Sequence, residues 1–244
     1  MKVCTICDEQ IKPDEPHKRH NSSRPTGAML PTFFTHDRCR QRPTVVPFIA
    51  TWSGEKGLVV PPVVPRLGGI GYVGEVPDDR ENGVLWMRSL DLRGRGRPLY
   101  GEVHPGRQRL AMRRELCQVC GEPADRNDDG VLWLLEDRRS DWKGWPHDLT
   151  TTHPPICRPC VPIARAQCPH LWRGAVAVRV GRSEVVGAHG QQYAAGAFGL
   201  RPVGHDTVLF GEGPAVRWTI GSQLIRALYD CSFVSLGEIL AAHS

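Results

Sequence analysis

The chain of 244 residues is 40% apolar and 23% charged, a globular balance that excludes a disordered polymer, and its length allows one large domain or two to three small ones. Its 26 glycines and 21 prolines exclude a plain helical bundle and predict a loop-rich fold of short elements. The formal charge of +5 excludes a histone-like protein, and no run approaches the roughly 18 apolar residues of a membrane span.

The basic charge is uneven. Residues 1–120 hold 19 Lys and Arg against 13 Asp and Glu, which predicts an acidic partner for that half. Met1-Lys2-Val3-Cys4 runs into a cysteine pair with no apolar leader region, so the expected compartment is the cytoplasm. Thiols stay reduced there, and six of the nine cysteines fall in C-x-x-C pairs, which points to metal rather than disulfides.

Residues 1–45 read as an N-terminal zinc module. Cys4-Thr-Ile-Cys7 has the spacing of a zinc knuckle, in which a tight turn aims two sulfurs at one ion. His36-Asp-Arg-Cys39 supplies a second half, giving a Cys3His site, with His17 and His20 as rivals to His36. Residues 46–69 contain Val59-Val-Pro-Pro-Val-Val-Pro65, a proline-rich connector or edge strand.

Residues 70–170 form a hairpin-repeat region. Gly74-Glu75 followed by Asn82-Gly-Val-Leu-Trp-Met87 echoes Gly121-Glu122 followed by Asp129-Gly-Val-Leu-Trp-Leu134 at a constant offset of 47. Asn-Gly and Asp-Gly are hairpin turn signals, and Val-Leu-Trp reads as the strand that follows. Ile70 and Val73 stand in the first copy where Cys117 and Cys120 stand in the second.

Between the copies, residues 88–114 carry eight arginines against Asp91 and Glu102. Arg93, Arg95 and Arg97 alternate with glycine in a basic loop, and Arg107, Arg109, Arg113 and Arg114 lie on a short helix predicted over 107–116. One reading is a phosphate-contact patch; the other is a solvated loop and helix face.

Cys117-Gln-Val-Cys120 and Cys157-Arg-Pro-Cys160 are the strongest signal in the chain. Each supplies half of a tetrahedron, and the 36 residues between them close at a cost that grows only logarithmically with length. Four cysteines leave no open coordination position, so the zinc expected here is structural. Cys168, His170 and His153 are surplus to that set.

Residues 171–244 read as a C-terminal α+β unit. Ala175–Val180, Gly181-Arg-Ser and Val185-Val186 predict a β-hairpin, and Thr207–Phe210 another strand. Leu224, Ile225, Leu228, Tyr229, Phe233, Leu236, Ile239 and Leu240 sit at roughly helical spacing, which predicts two short terminal helices with Cys231 on an apolar face. The expected fold class is α+β: small zinc-knuckle or zinc-ribbon modules with β-hairpins, then this terminal unit.

No catalytic motif stands out. Gly68-Gly-Ile-Gly71 is not a dinucleotide fingerprint, and no P-loop or zinc-deaminase signature is present. An HNH-like nuclease would use the stretch from Trp145-Pro-His147-Asp148 to His153. The Asp-His order there is reversed, and no asparagine lies between His147 and Cys157.

An arginine-rich chain of this length, opening on Cys4/Cys7 and setting Cys117/Cys120 against Cys157/Cys160, resembles a known group of phage proteins. These are the recombination directionality factors that accompany large serine integrases in temperate phages of high-GC actinobacteria such as Streptomyces. The resemblance implies a non-catalytic protein that binds a serine integrase on its attachment-site DNA. It further implies a shift from integration (attP with attB) to excision (attL with attR), with the contact surface sought on the C-terminal helices and exposed apolar positions. Direct DNA binding through residues 88–114 is the competing expectation.

Overall fold

The computed structural model describes residues 2, 4, 10–20, 32–37, 44–58, 61–196, 199–211 and 213–241, which form a mixed α+β protein made mostly of strands. β1 (His17–His20) and β2 (Phe33–His36) make a two-stranded antiparallel ladder with His17 opposite His36. β3 (Ala50–Trp52) is followed by two hairpins, β4 (Val63–Arg66) with β5 (Gly69–Tyr72), then β6 (Arg80–Glu81) with β7 (Val84–Trp86). β8 (Pro98–Val103) returns to pair with β3, and helix α1 (Pro105–Arg114) leads into the first C-x-x-C. β9 (Arg126–Asn127), β10 (Gly130–Glu136) and β11 (Leu149–Thr151) precede α2 (Val161–Gln167). The chain then lays down β12 (Ala175–Gly196), β13 (Gly199–Leu209), β14 (Thr219–Val234) and the short helix α3 (Leu236–Ala241).

The long antiparallel pair β12–β14 is the spine of an eight-stranded sheet. β10 and then β13 pair along the outer edge of β12, while β11 and β7 pair along the outer edge of β14. The hairpins β6–β7 and β9–β10 close the two ends of the strand order. The echoed segments therefore both become terminal hairpins of one sheet. Their turns differ by one position. Asn82-Gly83 takes left-handed φ values of 50° and 79°, as a type I′ turn requires, whereas Asn127 pairs with Gly130 around Asp128-Asp129.

β10 is buried on both faces. Leu132 and Leu134 pack with Cys117, Cys160, Ile156, Ala177 and Ile239 on one side; Val131, Trp133 and Leu135 pack with Val176, Val178, Trp145 and Leu228 on the other. The side-chain period of two delivers this split directly from Val-Leu-Trp-Leu-Leu.

Three expectations from the sequence are corrected. The run from Ala175 does not turn at Gly181-Arg-Ser; β12 continues as one strand of 22 residues, because its ladder to β14 continues past Gly181 and its outer partner changes from β10 to β13. The predicted terminal helices over 222–234 are strand β14, and only Leu236–Ala241 is helical. Leu224 and Leu228 are four apart, a spacing that satisfies the strand period as well as the helical one, and the strand is buried on both faces. Cys231 accordingly sits half-buried on a strand. Residues 171–244 are also not a separate layer, since β12 and β14 pair with β7, β10 and β11.

Candidate metal centre

The first C-x-x-C follows α1 at a sharp reversal. Glu115 caps the helix in the left-handed region (φ 50°, ψ 50°), and Cys117 accepts the amide of Gly121 at 2.9 Å while donating its own to Glu122 at 2.7 Å. The Val119 amide points at Cys117 Sγ, 3.4 Å away. Gly121 is required here: its φ is +84°, and a Cβ would stand 2.7 Å from the Phe48 ring. The second pair is a 3₁₀ turn at Arg158–Cys160, with the Cys160 amide on the Cys157 carbonyl at 3.1 Å.

Backbone bonds hold the halves face to face. Gln118 N donates to Pro155 O at 3.0 Å, and Ile156 N donates to Leu132 O at 2.9 Å. The four sulfurs of Cys117, Cys120, Cys157 and Cys160 lie within 4.8 Å of one another, with Cys120 and Cys157 at 3.6 Å. Tetrahedral zinc with bonds near 2.3 Å would place sulfurs roughly 3.8 Å apart. Cys117 and Cys160 are buried and the other two half-buried, so the cluster sits at the margin of the core formed by β10, α2 and α3.

The electrostatics fit a cation. Burial raises the Cys157 thiol to about 12, helped by the neighbouring Cys117 sulfur, and raises Cys160 as well. Burial opposes ionisation of Cys117 too, but amides of Cys120, Cys157 and Val119 outweigh it and hold this thiol below its ordinary value. One thiolate therefore discourages its neighbours, and a divalent ion removes that penalty. Cys168 stays outside the cluster, and neither His147, Asp148 nor His153 joins a group of three metal-capable side chains among the described residues.

At the N-terminus the structure describes Cys4 and His36, while Cys7 and Cys39 lie outside the described residues. Cys4 and His36 are buried; the His36 amide points at Cys4 Sγ (3.3 Å), and His36 Nε2 lies 3.2 Å from Glu15.

The seven arginines singled out in the sequence do not share one environment. Arg107 is internal: its Nε donates to Phe48 O (2.7 Å), one terminal nitrogen to Glu55 and Asp91 (2.6 and 2.5 Å), the other to Ala50 O and Glu55 (2.7 and 2.9 Å). It is thus not a contact residue, because all five of its donors are used. Arg109 is half-buried with Cζ 4.8 Å from the Trp86 ring centroid, and Arg113 pairs with Glu81. Arg114, Arg95 and Arg97 are exposed, and exposed Arg93 lies over Phe48 at 5.3 Å.

The Arg107 socket carries no spacing signal. Glu55, Asp91 and His104 converge as a metal site would, but the guanidinium takes both acids, and His104 accepts the Arg107 amide (3.1 Å) with its other nitrogen on Leu90 O (2.8 Å). Burial alone would raise the Glu55 carboxyl; Arg107, the Trp52 and Leu92 amides and His104 reverse this and bring it to about 2. Phe48 joins this socket to the knuckle, since its amide donates to Val119 O at 2.8 Å. No protein-family model matches the chain, and no curated protein or solved structure matches it.

Proposed function

We propose that the chain is a non-catalytic accessory protein that binds a serine integrase on attachment-site DNA, with zinc held by Cys117, Cys120, Cys157 and Cys160 as its structural centre. The observation that carries the zinc-organised part is the convergence of four sulfurs at the core margin, which leaves a bound ion no open position for substrate, while the non-catalytic reading rests on the resemblance. Zinc-ribbon-like knuckles then act as rigid presenters of a binding surface. The choice of integrase rests on the resemblance in length, arginine content and cysteine layout, and it implies action in the cytoplasm of a bacterial host.

Such a factor works by population shift. It must bind the excision-competent arrangement of the integrase more tightly than the other, each tenfold bias requiring about 1.4 kcal/mol of differential affinity. The test is recombination with a cognate integrase, scoring attL with attR products. The expected result is excision that depends on this protein; an unchanged yield refutes the reading.

One observation favours a second reading, direct DNA binding. Arg93, Arg95 and Arg97 are exposed and have no ion pair among the described residues, while Lys56 pairs with Glu102 in the strand that follows the loop. Three phosphate contacts would give log K a slope of roughly −2.7 against log salt on duplex DNA, lost when all three become alanine.

A further inference from the structure

The β4–β5 hairpin ends in a two-residue turn, Leu67-Gly68, and Leu67 is fully exposed at its tip. The hairpin itself is fixed. Ile70 and Tyr72 are buried with Leu85 and Ile220, and Gly69 packs so closely on Arg217 that a Cβ would stand 2.5 Å from its carbonyl oxygen. A leucine held on a rigid tip gains nothing for the fold, since its side chain touches water on every side.

The tip forms one wall of an open groove of about 860 Å³, lined also by Val76, Pro77, Ile70, Arg80 and Arg217. Val76 is half-exposed. The acids at the groove are already neutralised: Glu75 pairs with Arg80 and Glu81 with Arg113. Arg217 is exposed, makes no ion pair among the described residues, and has a guanidinium nitrogen 3.6 Å from where a Cβ on Gly68 would stand. Arg66, on the same hairpin, donates one nitrogen to the Tyr72 carbonyl and makes no ion pair among the described residues. The groove therefore offers two apolar side chains beside cations with unspent charge.

We propose that this groove is the docking surface for the protein partner, and that it takes a segment presenting an apolar side chain flanked by carboxylates. Leu67 and Val76 cover the apolar group, and Arg217 pairs with a carboxylate at the rim. The charge sign selects this occupant over nonpolar segments, and the apolar pair selects it over a phosphate backbone, whose oxygens would leave Leu67 in water. The proposal rests on the integrase reading for the partner's identity and adds where that partner sits.

The test compares binding of the full chain to its cognate integrase for the native protein, Leu67→Ser and Arg217→Glu, with zinc content and melting midpoint measured on each. Both positions are exposed, so fold and metal content should not change. The expected result is affinity at least tenfold weaker for each variant, with the Arg217→Glu loss shrinking as salt rises. If native protein binds and both variants bind equally well, the groove is not the interface and the integrase reading stands. If native protein fails to bind any integrase that carries out its excision reaction, both fall together. A native dimer abolished by Leu67→Ser assigns the groove to a second copy instead and overturns the proposal. So does a native duplex-DNA affinity lost in Arg217→Glu.

Discussion

Arg107 sits where a surface contact was expected from its neighbours in sequence, yet it organises the interior. It ties the carbonyls of Phe48 and Ala50, both oxygens of Glu55 and one of Asp91 to the start of the helix that leads into the first knuckle. Arg107→Ala would leave the Glu55 side chain, 1% exposed, without its counter-charge. Breaking a buried pair from one side costs about 3–5 kcal/mol, and urea denaturation should show a loss of that size. Arg95→Ala, at an exposed side chain, should stay within about 0.5 kcal/mol of native. The contrast explains what could be read at this scale. Cysteine ligands are local pairs whose two-residue spacing is itself the signal. The Arg107 socket draws on partners 52 and 16 residues away, which no spacing reveals.

Among the elements, the sheet was legible where period two was unambiguous and illegible where it coincided with another period. Val131-Leu132-Trp133 after the Asp-Gly turn read correctly as a strand, and the structure extends it to Glu136 and buries both of its faces. Leu224 and Leu228 fitted either a helix or a strand, and pairing with β12, β7 and β11 decided for the strand. β12 shows the reverse error: Gly181 read as a turn but lies within the strand, where a Cβ would stand 3.2 Å from Asp230 Cβ. Further along, the register to β14 shifts at Val185/Gly187 and at His189/Gly190, next to a second glycine that allows a close approach. A Cβ on Gly190 would stand 2.0 Å from the Ile220 carbonyl oxygen, whereas one on Gly57 would meet nothing within 4 Å. Gly190→Ala should therefore cost about 1–3 kcal/mol in the melting curve, and Gly57→Ala less than about 0.5 kcal/mol.

For the whole molecule, stability should depend on acid and on metal through separate groups. No helix among the described residues is long and apolar enough to cross a membrane. The Glu55 carboxyl is lowered from 4.5 to about 2. Its contribution is fully present above the unfolded value near 4.5 and disappears as pH falls toward 2, a change on the order of 3 kcal/mol. Denaturation across that window should show an acid limb that flattens in Glu55→Gln, while zinc release by acid remains common to both proteins.

The four-sulfur cluster closes the 36-residue excursion through β9, β10 and β11 and anchors Phe48, and through it the arginine socket, to the knuckle. Zinc content and thermal melting, measured on native protein and on a Cys117→Ser, Cys160→Ser double variant, test it most directly. The variant should lose one equivalent of zinc and a large part of its melting stability, and a strong chelator should lower the native midpoint. Equal zinc content in the two proteins, with unchanged midpoints, would contradict it.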